Sequence, residues 1–538
     1  MKSNSSVIRK FFTEIGLLLL SSVVFSLSFP SFISDRGFGV LSFVSIIPVF
    51  IVVHRSSWKS VFFYGSFYGF VTYAIFNYWL STFHPLAIVI VPIIYLVYFL
   101  ILFPVLKLAD KLFPRNGYLV QIFLWISYEY LRTKGFLGYP YGNIGYALSF
   151  WTPFIQSASF LGSWGISFLV LFPSAFLGNA LKEGRSGFMD FIKEQKRIAV
   201  IYTALFVVNL VYGAVVMQDY SGYPAWKVAL IQHNSDSWKG GIRTYEKNFR
   251  ILKRLSLEAV KENPDIVIWS ETSFVPGVDW HSKYRTDKER YALVKDLEDF
   301  LATQKIPYVI GNDDGQLKDP ALPPVLPDGS YNRKDYNATF LYEDGELKQT
   351  YRKIQLVPFT ENFPYKKTFP KFYQLLVDHD YHFWEKGTEY TVFNARGVKF
   401  STPICYEDVF GYISRNFVKR GAQVIVNLTN DSWSGAVSAE MQHMQMAVFR
   451  AIENRRSVVR STNSGMTVLI DPDGRILKSI EPFKEGYLVG DVPIYNAKTT
   501  FYTKMGNWFA FVSIALSVFL LGLGIISYIR QIIIDKRD

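Results

Sequence analysis

Cysteine is nearly absent from this 538-residue chain: Cys405 is the single one, beside seven histidines. One cysteine excludes an intramolecular disulfide framework and a cysteine-based zinc site. The histidines form no HExxH pattern, which argues against zinc hydrolysis, and no metal is expected. No Gly-rich phosphate loop, internal repeat or low-complexity tract is present. Charge is sparse as well, at 19% of residues, and the net charge of +12 is not gathered into one Lys/Arg-rich tract. Nucleic acid is therefore not the expected partner. What is abundant is apolar surface: 50% of residues are hydrophobic and 17% aromatic, which points toward lipid.

Apolar segments long enough to cross about 30 Å of hydrocarbon recur from the start. We read eight, near 12–30, 38–54, 60–83, 86–106, 118–133, 153–180, 198–217 and 506–529. The fifth is the weakest, being short and carrying Glu129. The first imitates a signal peptide, but it lacks a small-x-small cleavage site and further spans follow, so it reads as an anchor. One set of intervening loops carries Lys2, Arg9 and Lys10; Arg55 and Lys59; Lys107, Lys111 and Arg115; Lys182, Arg185, Lys193, Lys196 and Arg197; Arg530, Lys536 and Arg537. The alternating set holds Arg36, then none in STFHP, then Arg132 and Lys134. That asymmetry puts the first set, and both termini, in the cytoplasm, and an even number of spans satisfies it. The expected division is a membrane domain over 1–224, an extracytoplasmic domain over 225–495, and a last span with its cytoplasmic tail over 496–538.

The stretch 225–495 has soluble periodicities. KVALIQ (227–232), DIVIWSE (265–271), YVIGN (308–312) and AQVIVNLTN (422–430) are short apolar runs suited to buried strands. Residues 242–260 and 438–455 carry apolar positions at helical spacing. YEDGEL and DPDGRI each set Asp-Gly between extended runs, a hairpin signal. The Pro-rich 319–329 reads as an exposed loop. Alternating strands and helices predict an α/β layered domain.

Three motifs there carry chemistry: WSETSF with Glu271, YRKIQLVPFTEN with Lys353 and Glu361, and CYED with Cys405. A lone cysteine is most often a small buried hydrophobe, and a Glu or Lys at a strand end is most often solvated. Their joint fit to one mechanism favours the sharper reading. A thiol needs a base; a carboxylate can be that base; a lysine near sulfur lowers the thiol pKa and can stabilise an oxyanion; a second carboxylate can hold the lysine. Pro358 between Lys353 and Glu361 makes one continuous helix unfavourable, so the chain is expected to turn and return the carboxylate to the ammonium. Each motif follows a strand-like run, where parallel-sheet sites are built. For His443 we expect a packing or helix-surface role, and for the Met441–Met446 cluster a place in the core. For Arg455, Arg456 and Arg460 we expect a solvated or salt-bridged face.

In this order, Glu, Lys and Cys resemble the nitrilase superfamily of carbon–nitrogen hydrolases. WSE, KxxLVPFxE, ICYE, NDSW and RSTNSG are similar, more specifically, to the apolipoprotein N-acyltransferase family, and the resemblance covers essentially the whole chain. It implies eight spans and an α-β-β-α nitrilase-like periplasmic domain before the last one, in a bacterial inner membrane. It also implies Glu271 as base, Lys353 as the catalytic lysine and Cys405 as nucleophile. Glu361, Tyr406 and Glu407 fall on supporting positions, and Trp238 of SDSWKGG on an active-site-loop tryptophan. Departures are Thr360 for the usual Gly, Tyr141 where some members have Trp, and Ser464 where Asn or Thr is common; none touches the triad.

The activity so implied is ping-pong transfer of a phospholipid acyl chain, often from phosphatidylethanolamine, through a Cys405 thioester. The acceptor is the N-terminal amine of S-diacylglyceryl apolipoproteins. No cofactor is required, because every step is nucleophilic or acid–base. Water must be kept from the thioester, and DHDYHFWEKG (378–387) is a candidate roof. The alternatives are a membrane-tethered nitrilase-type amidase and a non-enzymatic transporter or scaffold with a decayed hydrolase domain. The intact triad argues against the second.

Overall fold

The computed structural model describes residues 2–83, 87–182, 184–237, 239–378, 383–496 and 498–536. Trp238 and positions 379–382 of the candidate roof lie outside the described residues. The chain forms two compact units. The first comprises Met1–Gln218, Ser434–Phe449 and Met505–Asp538; the second comprises Asp219–Trp433 and Arg450–Lys504.

The first unit is helical. Among the described residues, five helices are long and apolar enough to cross a membrane: Ser6–Leu27, Ala87–Leu112, Ser163–Leu181, Lys196–Val216 and Trp508–Asp535. The expected spans at 38–54, 60–83 and 118–133 are shorter, with helices Ile47–Arg55, Ser60–Phe76 and Gly117–Leu131. The expected span 153–180 is not continuous. Short turns at Thr152–Ile155 and Ala158–Leu161 precede it, and Gly162 takes φ +68, a left-handed conformation that stops one helix before Ser163 starts the next.

Helix Ser60–Phe76 lies close against Ala87–Leu112 because Gly65 and Gly69 leave room for it. A Cβ at either would come within 2.3–2.4 Å of the Phe99 or Tyr95 carbonyl oxygen. Small residues four apart on a helix permit this backbone approach where no hydrophobic effect drives association.

Glu129, the feature that weakened the fifth span, is fully buried and engaged. It accepts the Ile144 backbone N–H at 2.8 Å and the Ser167 hydroxyl at 2.7 Å. Arg132 is equally buried, donating to the carbonyls of Tyr139 and Tyr141, each at 2.8 Å, and to Asn143 Oδ1 at 2.5 Å. It caps helix Gly117–Leu131 as a buried charge and is not a solvated one. Segment Ser434–Phe449 packs within this unit: Gln442 accepts from Trp79 Nε1 at 3.0 Å and donates to the Pro30 carbonyl at 2.8 Å. His443, Met441, Met444 and Met446 are buried there, as packing roles require.

The second unit is built on twelve strands: β1 Ala225–Gln232, β2 Ile266–Trp269, β3 Tyr308–Leu317, β4 Arg333–Glu343, β5 Glu346–Arg352, β6 Val392–Ala395, β7 Val398–Ser401, β8 Val424–Thr429, β9 Ser457–Thr462, β10 Thr467–Ile470, β11 Ile476–Ile480 and β12 Gly486–Pro493. They form two six-stranded sheets, ordered β12-β1-β2-β3-β4-β5 and β11-β10-β9-β8-β7-β6. In each sheet three central strands run parallel and the flanking strands antiparallel. The central strands β2, β8 and β9 are buried along their whole length; β2 is apolar throughout, while β8 and β9 carry buried polar residues such as Asn427 and Arg460.

The sheets meet face to face. The Ser461 hydroxyl donates to the Ile268 carbonyl at 3.2 Å, and Trp226 packs on Phe400 with ring centroids 5.2 Å apart. Helices Gly241–Val260 and Lys288–Ala302 cover the outer face of the first sheet, burying Leu252, Leu297 and Phe300 against Trp269 and Phe340. Helix Gly411–Lys419 packs on the second sheet at β7. The YEDGEL hairpin joins β4 to β5, and DPDGRI joins β10 to β11.

Candidate active site

The motif residues stand just beyond strand ends, after the parallel strands β2, β7 and β8 and after the antiparallel edge strand β5. Glu271 follows β2, Cys405 follows β7, Asn430 follows β8, and Lys353 directly follows β5. Lys353 is wholly buried, and its ammonium donates to Glu361 Oε1 at 2.8 Å and to Glu271 Oε1 at 3.1 Å. Burial alone would lower the lysine pKa, but the two carboxylates more than offset it and hold the ammonium well above the usual range. Burial raises the Glu361 carboxyl, with the Lys353 charge opposing.

Glu361 reaches Lys353 because the chain turns between them. Phe359 takes φ +66, and the Glu361 backbone N–H donates to the Val357 carbonyl at 3.0 Å. The Val357 N–H closes the loop by donating to Glu361 Oε2 at 2.8 Å. The turn read from Pro358 thus exists, and the carboxylate does return to the ammonium.

Two partners of Glu271 had no place in the motif reading. Asn337 Nδ2, from the middle of β4, donates to Glu271 Oε1 at 2.7 Å and to Glu361 Oε1 at 3.4 Å. The backbone N–H of Asn430 donates to Glu271 Oε2 at 2.8 Å. An asparagine at an inward position of an apolar strand is a signal for the first, since buried amides need partners. The second is a main-chain group, which residue type does not reveal.

Cys405 is a free, buried thiol at the start of the 3-10 turn Cys405–Val409, with φ +48. A left-handed cysteine costs about 1–2 kcal/mol, so the surroundings must impose it. Asn427 Nδ2 donates to the carbonyls of Pro403 at 3.1 Å and Cys405 at 3.2 Å. Glu407 Oε2 accepts the Ile404 N–H at 2.7 Å. Three such bonds, each worth about 1 kcal/mol net, are enough to hold the turn.

Glu407 also joins the Cys405 turn to the loop after Lys353. Its Oε1 accepts the N–H groups of Ile354 at 2.7 Å and Gln355 at 2.9 Å, and the Tyr351 hydroxyl lies 2.8–2.9 Å from both oxygens. Burial pushes its carboxyl up to about 7, against the pull of those donors. Tyr406 is buried with its ring edge-on to Phe410 at 5.1 Å.

Burial, and then the Glu271 charge, push the Cys405 thiol well above its usual range, with Lys353 opposing. The resting sulfur is thus held as a protonated thiol. Arg455, Arg456 and Arg460 are buried and engaged: Arg455 with Asp473, Arg456 with backbone carbonyls, Arg460 with two aspartates. A solvated face is excluded for all three; ion pairing holds for Arg455 and Arg460. Among the described residues no His/Cys/Asp/Glu group has metal-ligand geometry.

Paired sheets with this residue set at their strand ends define the second unit as a carbon–nitrogen hydrolase domain, and the family model Carbon-nitrogen hydrolase matches residues 227–500. Residues 21–176 match the Apolipoprotein N-acyltransferase N-terminal domain. The chain belongs to the apolipoprotein N-acyltransferase family. It is 42% identical over 513 residues to Apolipoprotein N-acyltransferase 1 of Treponema denticola, covering 93% of this chain and 94% of that protein. It is 40% identical over 525 residues to Apolipoprotein N-acyltransferase 1 of Treponema pallidum, covering 94% and 95%. Among solved structures, Nit3 of Saccharomyces cerevisiae, of the nitrilase superfamily, matches at TM-score 0.36 and 20% identity, over 51% of this chain and 92% of its own.

The thiol's environment predicts its reactivity. In the native protein, iodoacetamide labelling of Cys405 is expected to keep accelerating above about pH 9, while the denatured chain is half-maximal near about pH 8.5. A native plateau by pH 8 would contradict a resting thiol held protonated by burial and Glu271.

Proposed function

We propose that Cys405 carries an acyl chain, as a thioester, from a phospholipid to the N-terminal amine of an S-diacylglyceryl lipoprotein cysteine. As a member of its family the protein is an acyltransferase that N-acylates lipoproteins. One observation carries the catalytic reading: a buried lysine bonded to Glu271 and Glu361, whose combined charges act on the chain's sole thiol. An amidase is not favoured, because the amino-terminal match and the full-length relatives are of the acyltransferase family.

Glu271 takes the Cys405 proton as Sγ attacks the sn-1 ester carbonyl. The carbonyl oxygen gains a negative charge, and Lys353, with two of its three protons already committed, turns the third toward it. Collapse breaks the acyl C–O bond, and Glu271 returns its proton to the departing glycerol oxygen. The lysophospholipid leaves S-acyl Cys405 behind. The lipoprotein amine then attacks the thioester, Glu271 takes its proton, the C–S bond breaks, and the proton ends on Sγ. Phosphatidylethanolamine suits the donor role, and Trp238 and the segment 378–387 suit substrate contact and water exclusion. Each step is acid–base or nucleophilic chemistry available to these side chains.

Apolar helices and family membership make this a membrane protein. Within the reading proposed, eight spans fill 1–224 and 496–538, both termini are cytoplasmic, and 225–495 is periplasmic. Support comes from the Lys/Arg asymmetry. Both substrates carry acyl chains, so a site held at the membrane surface converts a bimolecular search into a local one.

Two tests follow. With phospholipid as sole substrate, native protein is expected to gain a hydroxylamine-sensitive acyl mass. Cys405→Ala should gain none, Glu271→Gln should scarcely react, and Lys353→Ala should be slower by on the order of two to three decades, as for a lost oxyanion donor. An unreduced adduct in any of these, in protein still extracted folded from membranes, would remove that residue from its role. For topology, a reporter fused after Arg530 should be cytoplasmic and one inserted near Asp328 should not. The same side for both would sink the eight-span arrangement.

A further inference from the structure

RSTNSG supplies Arg460 from β9, and no step above uses it. Its guanidinium is fully buried. Nη1 donates to Asp408 Oδ2 at 2.7 Å and to Asn427 Oδ1 at 3.4 Å, while Nη2 donates to Asp431 Oδ2 at 2.8 Å. Each partner sits on a segment that carries chemistry. Asp408 belongs to the 3-10 turn that Cys405 begins. Asp431 follows Asn430, whose N–H holds Glu271 Oε2. Asn427 clamps the carbonyls on either side of Ile404. One planar fork therefore meets the nucleophile's turn, the loop that aims the base, and the strand between them.

Stability alone does not call for this arrangement. A charge triad withdrawn from water carries a heavy desolvation penalty, and well-packed apolar side chains often serve the fold as well or better. What an arginine adds is fixed bidentate geometry, which neither an apolar group nor a lysine reproduces.

We infer that Arg460 is a positioning residue, whose fork holds the Cys405 turn and the Asn430 loop in register so that Sγ and the Glu271 carboxylate address the same carbonyl. This rests on the reading of Cys405 as nucleophile and Glu271 as base. A charge-balancing role is the competing account, and the two separate at Asp431. The charges acting on the thiol are those of Glu271, Lys353, Asp431 and Glu361, and Asp431 is among those that raise its pKa. Neutralising Asp431 makes the thiol easier to ionise. If charge balance were all, thioester formation would hold or quicken. If register matters, it slows while the thiol becomes easier to ionise.

The test uses full-length Asp431→Asn, Arg460→Lys and Cys405→Ala in detergent with phospholipid, read by single-turnover thioester formation and by the pH profile of iodoacetamide labelling. Asp431→Asn is expected to shift labelling to lower pH and yet form thioester on the order of 10- to 100-fold more slowly, the scale of an ångström-level misplacement. Arg460→Lys should slow comparably, because a point charge cannot span both carboxylates. Asp431→Asn alone decides if Arg460→Lys does not fold. A native or faster rate in Asp431→Asn, or a native rate in Arg460→Lys, overturns the positioning role and leaves the nucleophile reading intact. An acyl adduct on Cys405→Ala would overturn both.

Discussion

A lysine ammonium with no exposure to water is the constraint around which this site is organised. An isolated charge in that position would be strongly penalised, and the usual escape is loss of its proton. Lys353 keeps its proton because Glu271 and Glu361 both bond to it. The arrangement leaves two carboxylates sharing one cation, so the cluster carries an excess negative charge beside a thiol. Burial, and then the Glu271 charge, keep the resting sulfur protonated.

Geometry around this cluster comes from the sheets. Each sheet's central strands run parallel, so their carboxyl ends open on one side, where turns are free to carry function. Cys405 occupies a strained left-handed position that Asn427 and Glu407 impose. Glu407 reaches from that turn to the loop immediately after Lys353, so the Cys405 turn and the lysine's loop are held by one carboxylate. The active-site segment 430–433 then leads directly into Ser434–Phe449, which is part of the helical unit.

Much of this was legible in the sequence where local rules act. Apolar runs located β1, β2, β3 and β8, helical spacing located Gly241–Val260 and Val437–Asn454, and Asp-Gly pairs located both hairpins. Pro358 announced the turn that returns Glu361 to Lys353. What escaped depends on contacts across the fold. Asn337 alternates with Ala338 and Phe340, which face the covering helices, so pattern says which way it points but not what it meets. Asn430 acts through its main chain, invisible to residue type. The break at Gly162 was hidden in an apolar run, because hydropathy does not register a left-handed φ. Arg460 was read as solvated or salt-bridged; the ion pairing holds, while its burial depends on two aspartates distant in sequence.

Whether Lys353 and Glu361 act as one unit decides the account. A double-mutant cycle with Lys353→Ala and Glu361→Gln, read by single-turnover thioester formation, measures this directly. If Glu361 acts by fixing the ammonium, the double variant should be scarcely slower than Lys353→Ala alone. Strict additivity of the two losses in activation free energy would contradict it and separate the lysine from the carboxylate that the structure binds to it at 2.8 Å.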